Sequence, residues 1–122
     1  MTRIRFDFGS LTLDAELLDT PTAKAIEASL PISSAAQTWG EEVYFETPVS
    51  AKLEADAKQV VEPGTVCFWT QGDALALPFG RTPISTDDKP KLANPCNVLG
   101  SMQDFALLKK IKAGDKVKVE RA

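Results

Sequence analysis

Apolar and polar residues alternate along much of this chain, and where they do the period is two, the period of a β-strand with one face buried. In RIRFDF, Ile4, Phe6 and Phe8 fall on one side, and in LTLDAEL Leu11, Leu13, Ala15 and Leu17 do the same. Gly9-Ser10 between them suits a tight hairpin turn, because glycine takes positive φ without steric cost. EEVYFETPV repeats the alternation, with Val43 and Phe45 facing one way and Glu42, Tyr44 and Glu46 the other. ISSAAQTW before it reads as a further strand, the two meeting around Gly40, and Pro48 ends or edges the second. TVCFW and ALALPF are short apolar runs joined by TQGD, where Gly72 suits the turn, and Pro78 makes the end of the second run an edge or a bulge. CNVLGSM and KVKVE, the latter with Val117 and Val119 inward, bring the total to about eight strands.

Two segments change period. In DTPTAKAIEASLP, Thr20 is placed to cap a helix, Pro21 suits its first turn and Pro31 stops it. Ala23, Ile26 and Leu30 form a narrow face, which predicts a lid lying against a sheet or across a barrel mouth. In FALLKKI, Phe105 and Leu108 share a face, as do Leu107 and Ile111, with Asp104 as the cap, lysines at the end and Gly114 as the stop. Residues 50–64 mix a weak helical pattern with charge and read as a surface excursion, and GRTPISTDDKPKLANP reads as a long loop. Two helices among strands at this spacing predict a mainly β fold, an eight-stranded barrel with both mouths covered, formed by residues 1–122 as a single domain without repeat or linker.

Composition narrows the chemistry. The 122 residues, 43% hydrophobic and 25% charged, suit one folded core. The net charge of −3 offers no basic field for phosphates, so no nucleic acid partner is expected. No apolar run is long enough to span a membrane, and MTRIRFDFGS alternates where a signal peptide is uniformly apolar, so no membrane partner and a cytoplasmic location are expected. Cys67 and Cys96 sit in apolar runs and read as reduced core thiols. The chain contains no histidine, which removes Ser-His and Cys-His catalysis and the commonest zinc ligand. No phosphate loop, metal-ligand spacing or nucleophile elbow is present, so neither metal nor cofactor is expected.

Several motifs, in order, resemble the cyclophilins. DTPTAKAIEASL is similar to the first helix of that family, PGTVCFW followed by ALALPFG to its paired central strands, and NVLGSMQDFALLKKI to its C-terminal strand and helix. TWGEEVYF, PGTVCFW, ALALPFG with TP after it, and PCNVLG resemble still more closely the short bacterial and archaeal cyclophilin-like domains of uncharacterised function. The resemblance implies a closed eight-stranded barrel with a helix at each end, in which Gly100 lets the chain leave the barrel wall and the following helix plugs a mouth. It does not carry over the chemistry of the prolyl isomerases, whose arginine lies in a Phe-His-Arg and Phe-Met-x-Gln-Gly-Gly stretch after the first helix. ISSAAQTWGEEVYF, the corresponding stretch, has no arginine. An apolar groove without a donor for the twisted amide nitrogen binds ground and transition states alike, and only preferential binding of the latter accelerates the reaction.

The residues singled out for binding are Gln37, Trp39, Glu42, Tyr44, Phe79 and Arg81. Trp39 and Tyr44 read either as a partly exposed barrel surface or as a cup in which the rings stack and Glu42 or Gln37 orients a polar group. Trp69 and Phe79 lie at the ends of the central pair of strands, and Phe79 resembles a groove aromatic of the cyclophilins but fits a core equally. Arg81 reads as a solvated side chain or as an anchor for a carboxylate or carbonyl. Asp87-Asp88 and EADAK read as solvated charge. The expectation is therefore a protein that binds a small molecule or an extended, Pro-containing peptide, leaning away from an enzyme, with a homo-oligomer left open. The alternatives are a weak or altered prolyl isomerase using Arg81, and an accessory domain of a larger enzyme complex.

Overall fold

The structure, a computed structural model, describes residues 2–122. Its ten strands, among the described residues, are β1 (Thr2–Asp7), β2 (Thr12–Leu17), β3 (Ile32–Ala35), β4 (Gln37–Thr38), β5 (Glu42–Glu46), β6 (Lys58–Val60), β7 (Thr65–Trp69), β8 (Ala74–Pro78), β9 (Lys91–Met102) and β10 (Lys116–Arg121). All pair antiparallel, in the order β3-β10-β1-β2-β9-β7-β8-β5-β4, with β6 on β9.

Both the strand count and the closure differ from the expected eight-stranded barrel. The sheet is not a closed barrel: the two ends of the ladder, β3 and β4, are consecutive in the chain and do not pair with each other. ISSAAQTW was expected as one strand and is split at Ala36. The N–H of Ala36 donates to Asp115 O at 2.7 Å and its carbonyl accepts from Gly114 N at 2.8 Å, so this fully buried residue is bonded to the turn before β10. β3 then pairs with β10 and β4 with β5.

The opening hairpin follows the alternation. Ile4 faces Ala15 and Phe6 faces Leu13 across β1 and β2, and Gly9 turns the chain at φ +83° with its N–H on Asp7 Oδ1. The single α-helix among the described residues, α1 (Pro21–Ala28), starts as predicted: Thr20 Oγ1 accepts from Ala23 N at 3.2 Å, and Ala23 and Ile26 enter the core. The second helical segment is a 3-10 helix, Phe105–Lys110, not an α-helix. Asp104, expected as its cap, is left-handed at φ +55° and makes no side-chain cap bond; Leu108 and Ile111 are the buried pair, three residues apart as a 3-10 turn requires.

Two segments expected as loops carry structure. β9 begins at Lys91, inside the proline-rich stretch, and runs past Pro95 to Met102, pairing first with β6 and then with β7 and β2. Gly100 does not leave the wall. It lies within β9 facing Leu17 and Val66, where a Cβ would collide with the Glu16 carbonyl oxygen.

Residues 50–57 are pinned by Asn97, which is fully buried. Its Oδ1 accepts from Glu54 N at 2.7 Å, and its Nδ2 donates to Thr22 Oγ1 and to Lys52 O, each at 2.9 Å. Glu54, in the EADAK stretch expected to be solvated, accepts from both the N–H and the hydroxyl of Thr22 in the first turn of α1, where a negative charge is favoured.

The core has two parts. Val43, Phe45, Val66, Phe68, Leu75 and Leu77 from β5, β7 and β8 point to one side of the sheet, where they join Ile4, Phe6, Ile26, Leu99 and Val119 in the main core. Cys67 and Ala76 point to the other, where Val61, Leu92 and Cys96 cover them. All five residues of β8 are buried.

Candidate functional site

On the second face the register fixes a row of side chains. Tyr44 faces Ala76 and Ala76 faces Cys67 across β5, β8 and β7, and directly opposed residues of an antiparallel pair share a face. Glu42 lies two residues before Tyr44, and Trp69 two after Cys67, so both belong to the same face. The residues at the centre, Ala76, Cys67 and Cys96, are small. They leave a cavity of about 250 Å³ walled by Trp39, Tyr44 and Trp69, with Leu92 and Ala93 of β9 along one side and Glu42 in its lining.

The walls are held in place. Tyr44 and Trp69 meet edge to face, ring centroids 6.3 Å apart and planes at 85°. Trp69 Nε1 donates to Asn94 Oδ1 at 3.1 Å, and the six-membered part of its indole lies so close over Gly72 that a Cβ there would collide with it. This is why the turn contains Gly72, since the positive φ of the turn, +50°, belongs to Asp73. Trp39 begins the tight turn into β5, its N–H donating to Glu42 O at 3.0 Å. Gly40 in that turn has φ +58° and lies against Pro83 and the Arg81 carbonyl.

Glu42 is the polar group of this cavity that its surroundings do not satisfy. It is only 7% exposed, and among the described residues its Oε1 has no hydrogen-bond partner. Burial pushes its carboxyl up to about 7, because no charge or donor offsets the lost hydration. Among the described residues, the lining includes no lysine or arginine. Burial likewise raises the thiols, with smaller contributions from their neighbours: Cys96 goes up to about 12, helped by Glu42, and Cys67 well above its ordinary value, helped by Cys96 and Glu42. Both cysteines are free and buried. Thiols held neutral in this way are not nucleophiles near neutral pH.

The structure brings three of the six singled-out residues, Trp39, Glu42 and Tyr44, around one cavity, and the other three are not in its lining. Gln37 is exposed and sits opposite Tyr44 on the short edge strand β4. Phe79 packs against the main core. Arg81 is exposed; its guanidinium donates to Ser85 O at 3.1 Å and its N–H to Glu41 Oε1. The sequence reading placed Trp69 at the end of the central strand pair without counting it among the binding residues, and did not connect Cys96, Leu92 or Ala76 with Tyr44. A signal was available: TVCFW and ALALP are apolar on both faces, which a barrel wall with a wet outer face would not be.

A family model described as cyclophilin-like matches residues 2–120. The chain belongs to the cyclophilin-like family. Its fold is shared with the solution structure of a hypothetical protein from the archaeon Archaeoglobus fulgidus, at 41% sequence identity and a TM-score of 0.83, over 99% of this chain and 95% of that one. No curated protein matches the chain. No helix among the described residues of this cyclophilin-like protein is long and apolar enough to cross a membrane.

Proposed function

We propose that this cyclophilin-like protein binds a compact small molecule in the cavity between Trp39, Tyr44 and Trp69, and that it does so without catalysing prolyl isomerisation. The observation that carries this reading is a cavity of about 250 Å³ with three aromatic walls and one buried, unsatisfied carboxyl. Mostly apolar walls with a single orienting polar group are the usual make-up of a small-molecule site, and the volume lies just under the range typical of drug-sized ligands. It suits one or two rings better than an extended peptide.

Catalysis has less support. Isomerisation needs a donor aimed at the prolyl nitrogen, and Arg81 is engaged with Ser85 O outside the cavity. A carboxyl near 7 resembles a general base, but proton abstraction also develops negative charge on the substrate, and no cation lines the cavity to stabilise it.

Tryptophan fluorescence against a panel of small aromatic and heterocyclic compounds and Ala-Pro peptides tests the proposal. Saturable quenching by compact ring compounds, lost in Trp69→Ala while that variant keeps its cooperative unfolding, is the expected result. A panel that leaves the emission unchanged, or a protease-coupled isomerase rate well above background, overturns it.

A further inference from the structure

We infer that the ligand is an organic ammonium ion, an amine carrying apolar substituents, with Glu42 as its counter-ion and the Trp39, Tyr44 and Trp69 rings as the walls around its charged end. The inference deepens the binding reading and rests on it. Three observations lead to it.

The carboxyl of Glu42 is buried in the cavity lining, and among the described residues its Oε1 has no hydrogen-bond partner. A buried charge of this kind is stabilised only by a partner, and the described residues around it supply none: Tyr44 and Glu46 are the titratable groups on the same face of its own strand, Cys67 faces it from β7 and Cys96 from β9, and β8 contributes Ala76 and Pro78. None of these is a cation. Where the carboxyl is charged, above about 7, a ligand is the source that remains for the complementary charge.

The second observation is the disposition of the rings. Tyr44 and Trp69 stand at 85° to one another, giving two walls of a corner, and Trp39 lines the same space. Indole and phenol faces carry partial negative charge and attract cations, indole most strongly. The third is size. About 250 Å³ has room for a substituted ammonium and a ring but not for a long chain.

An anion would meet Glu42, a group of the wrong sign. A neutral ring would satisfy the walls and leave the carboxyl unanswered. The proton on Glu42 also predicts a pH response: burial keeps the carboxyl protonated below about 7, so a cation must displace that proton to bind, and binding strengthens as pH rises toward about 7 and then levels.

Four probes sharing one ring test the inference by tryptophan fluorescence and calorimetry: benzyltrimethylammonium, whose charge is fixed, benzylammonium, benzyl alcohol and benzoate. Both cations should bind about tenfold or more tightly than the alcohol, and benzoate should not bind. Glu42→Gln should bring the cations down to the level of the alcohol. In the unsubstituted protein, benzyltrimethylammonium should bind more tightly at about pH 8 than at about pH 5.5, with the alcohol indifferent to pH. Equal affinity for the alcohol and the cations, or a cation affinity that does not change with pH, overturns the charge assignment while leaving small-molecule binding standing. If neither these probes nor the wider panel binds, the binding reading itself falls. The pH series needs no variant, so the test survives if Glu42→Gln folds poorly.

Discussion

The strand β8 separates two interiors that the same sheet builds differently. On one side Leu75 and Leu77 join the large aromatic and aliphatic side chains of β5 and β7, with Phe6 and Phe45 meeting edge to face at 6.1 Å. On the other side Ala76 faces Cys67 and Tyr44, and the small groups leave a cavity with one carboxyl in its lining. The first interior is close-packed and apolar, which stabilises the fold and gives a ligand nothing to recognise. The second gives up packing and includes a polar group that the fold alone does not satisfy. Such a departure from core rules marks a site better than any single residue type does.

Neighbouring residues on β5 put the comparison to its strongest test. Phe45 is fully buried in the main core, and Tyr44, next to it, faces the cavity. Phe45→Ala should destabilise the protein by about 3–5 kcal/mol, the usual penalty for emptying an aromatic core position. Tyr44→Ala should lose less than half as much, because its ring is partly exposed and already borders open space. Urea denaturation of the two variants decides. Equal losses would mean that the second face is packed as tightly as the first and that the cavity is not a site.

Glu42 gives the next largest effect, and its sign depends on pH. Below about pH 4.5 the carboxyl is protonated in both folded and unfolded chains. Between 4.5 and about 7 the folded chain retains a proton that the unfolded chain has lost, so stability falls as pH rises; above about 7 the loss is complete. Raising the group from 4.5 to about 7 corresponds to about 3 kcal/mol. Glu42→Gln, a neutral side chain of the same shape, should remove this slope and leave the variant more stable than the parent at about pH 8 but not at about pH 4.5. Urea midpoints across that range measure it, and parallel pH profiles for the two proteins would show that Glu42 is hydrated.

Alternation in the sequence revealed which residues of β1, β2, β5 and β10 point together, because one-sided strands encode their orientation in every second residue. It also placed Glu42 and Tyr44 on one face. It could not reveal that this face is covered, since the cover comes from Val61 and Leu92, in segments that read as an excursion and a loop. The turn at Ala36 was equally hidden: a buried alanine between two strands differs from a strand residue only in the bonds it makes to the distant Gly114–Asp115 turn. The start of α1 was legible because Thr20-Pro21 acts locally. The 3-10 helix was not, since Leu108 and Ile111 fit a three-residue spacing and a helical stripe alike.

The smallest effect tests whether the wall of the cavity is set by its own turn. Gly72 is not at positive φ, so replacing it with alanine carries no left-handed backbone penalty, and what changes is the space beneath Trp69. A methyl group there would force the indole upward, away from Asn94 Oδ1 and out of its right-angle contact with Tyr44. The indole is only partly buried and has open space beside it, so Gly72→Ala should destabilise by only about 1 kcal/mol, the low end of the penalty for overpacking. Its effect on the site should be larger than its effect on the fold. In a Trp39→Phe background, where Trp69 alone emits, the emission should shift and quenching by ring compounds should weaken, while Gln71→Ala, an exposed neighbour in the same turn, should do neither. Should Gly72→Ala leave both emission and binding as they were, Trp69 would not be seated on the turn, and the right-angled corner it forms with Tyr44 would not be a fixed feature of the second interior.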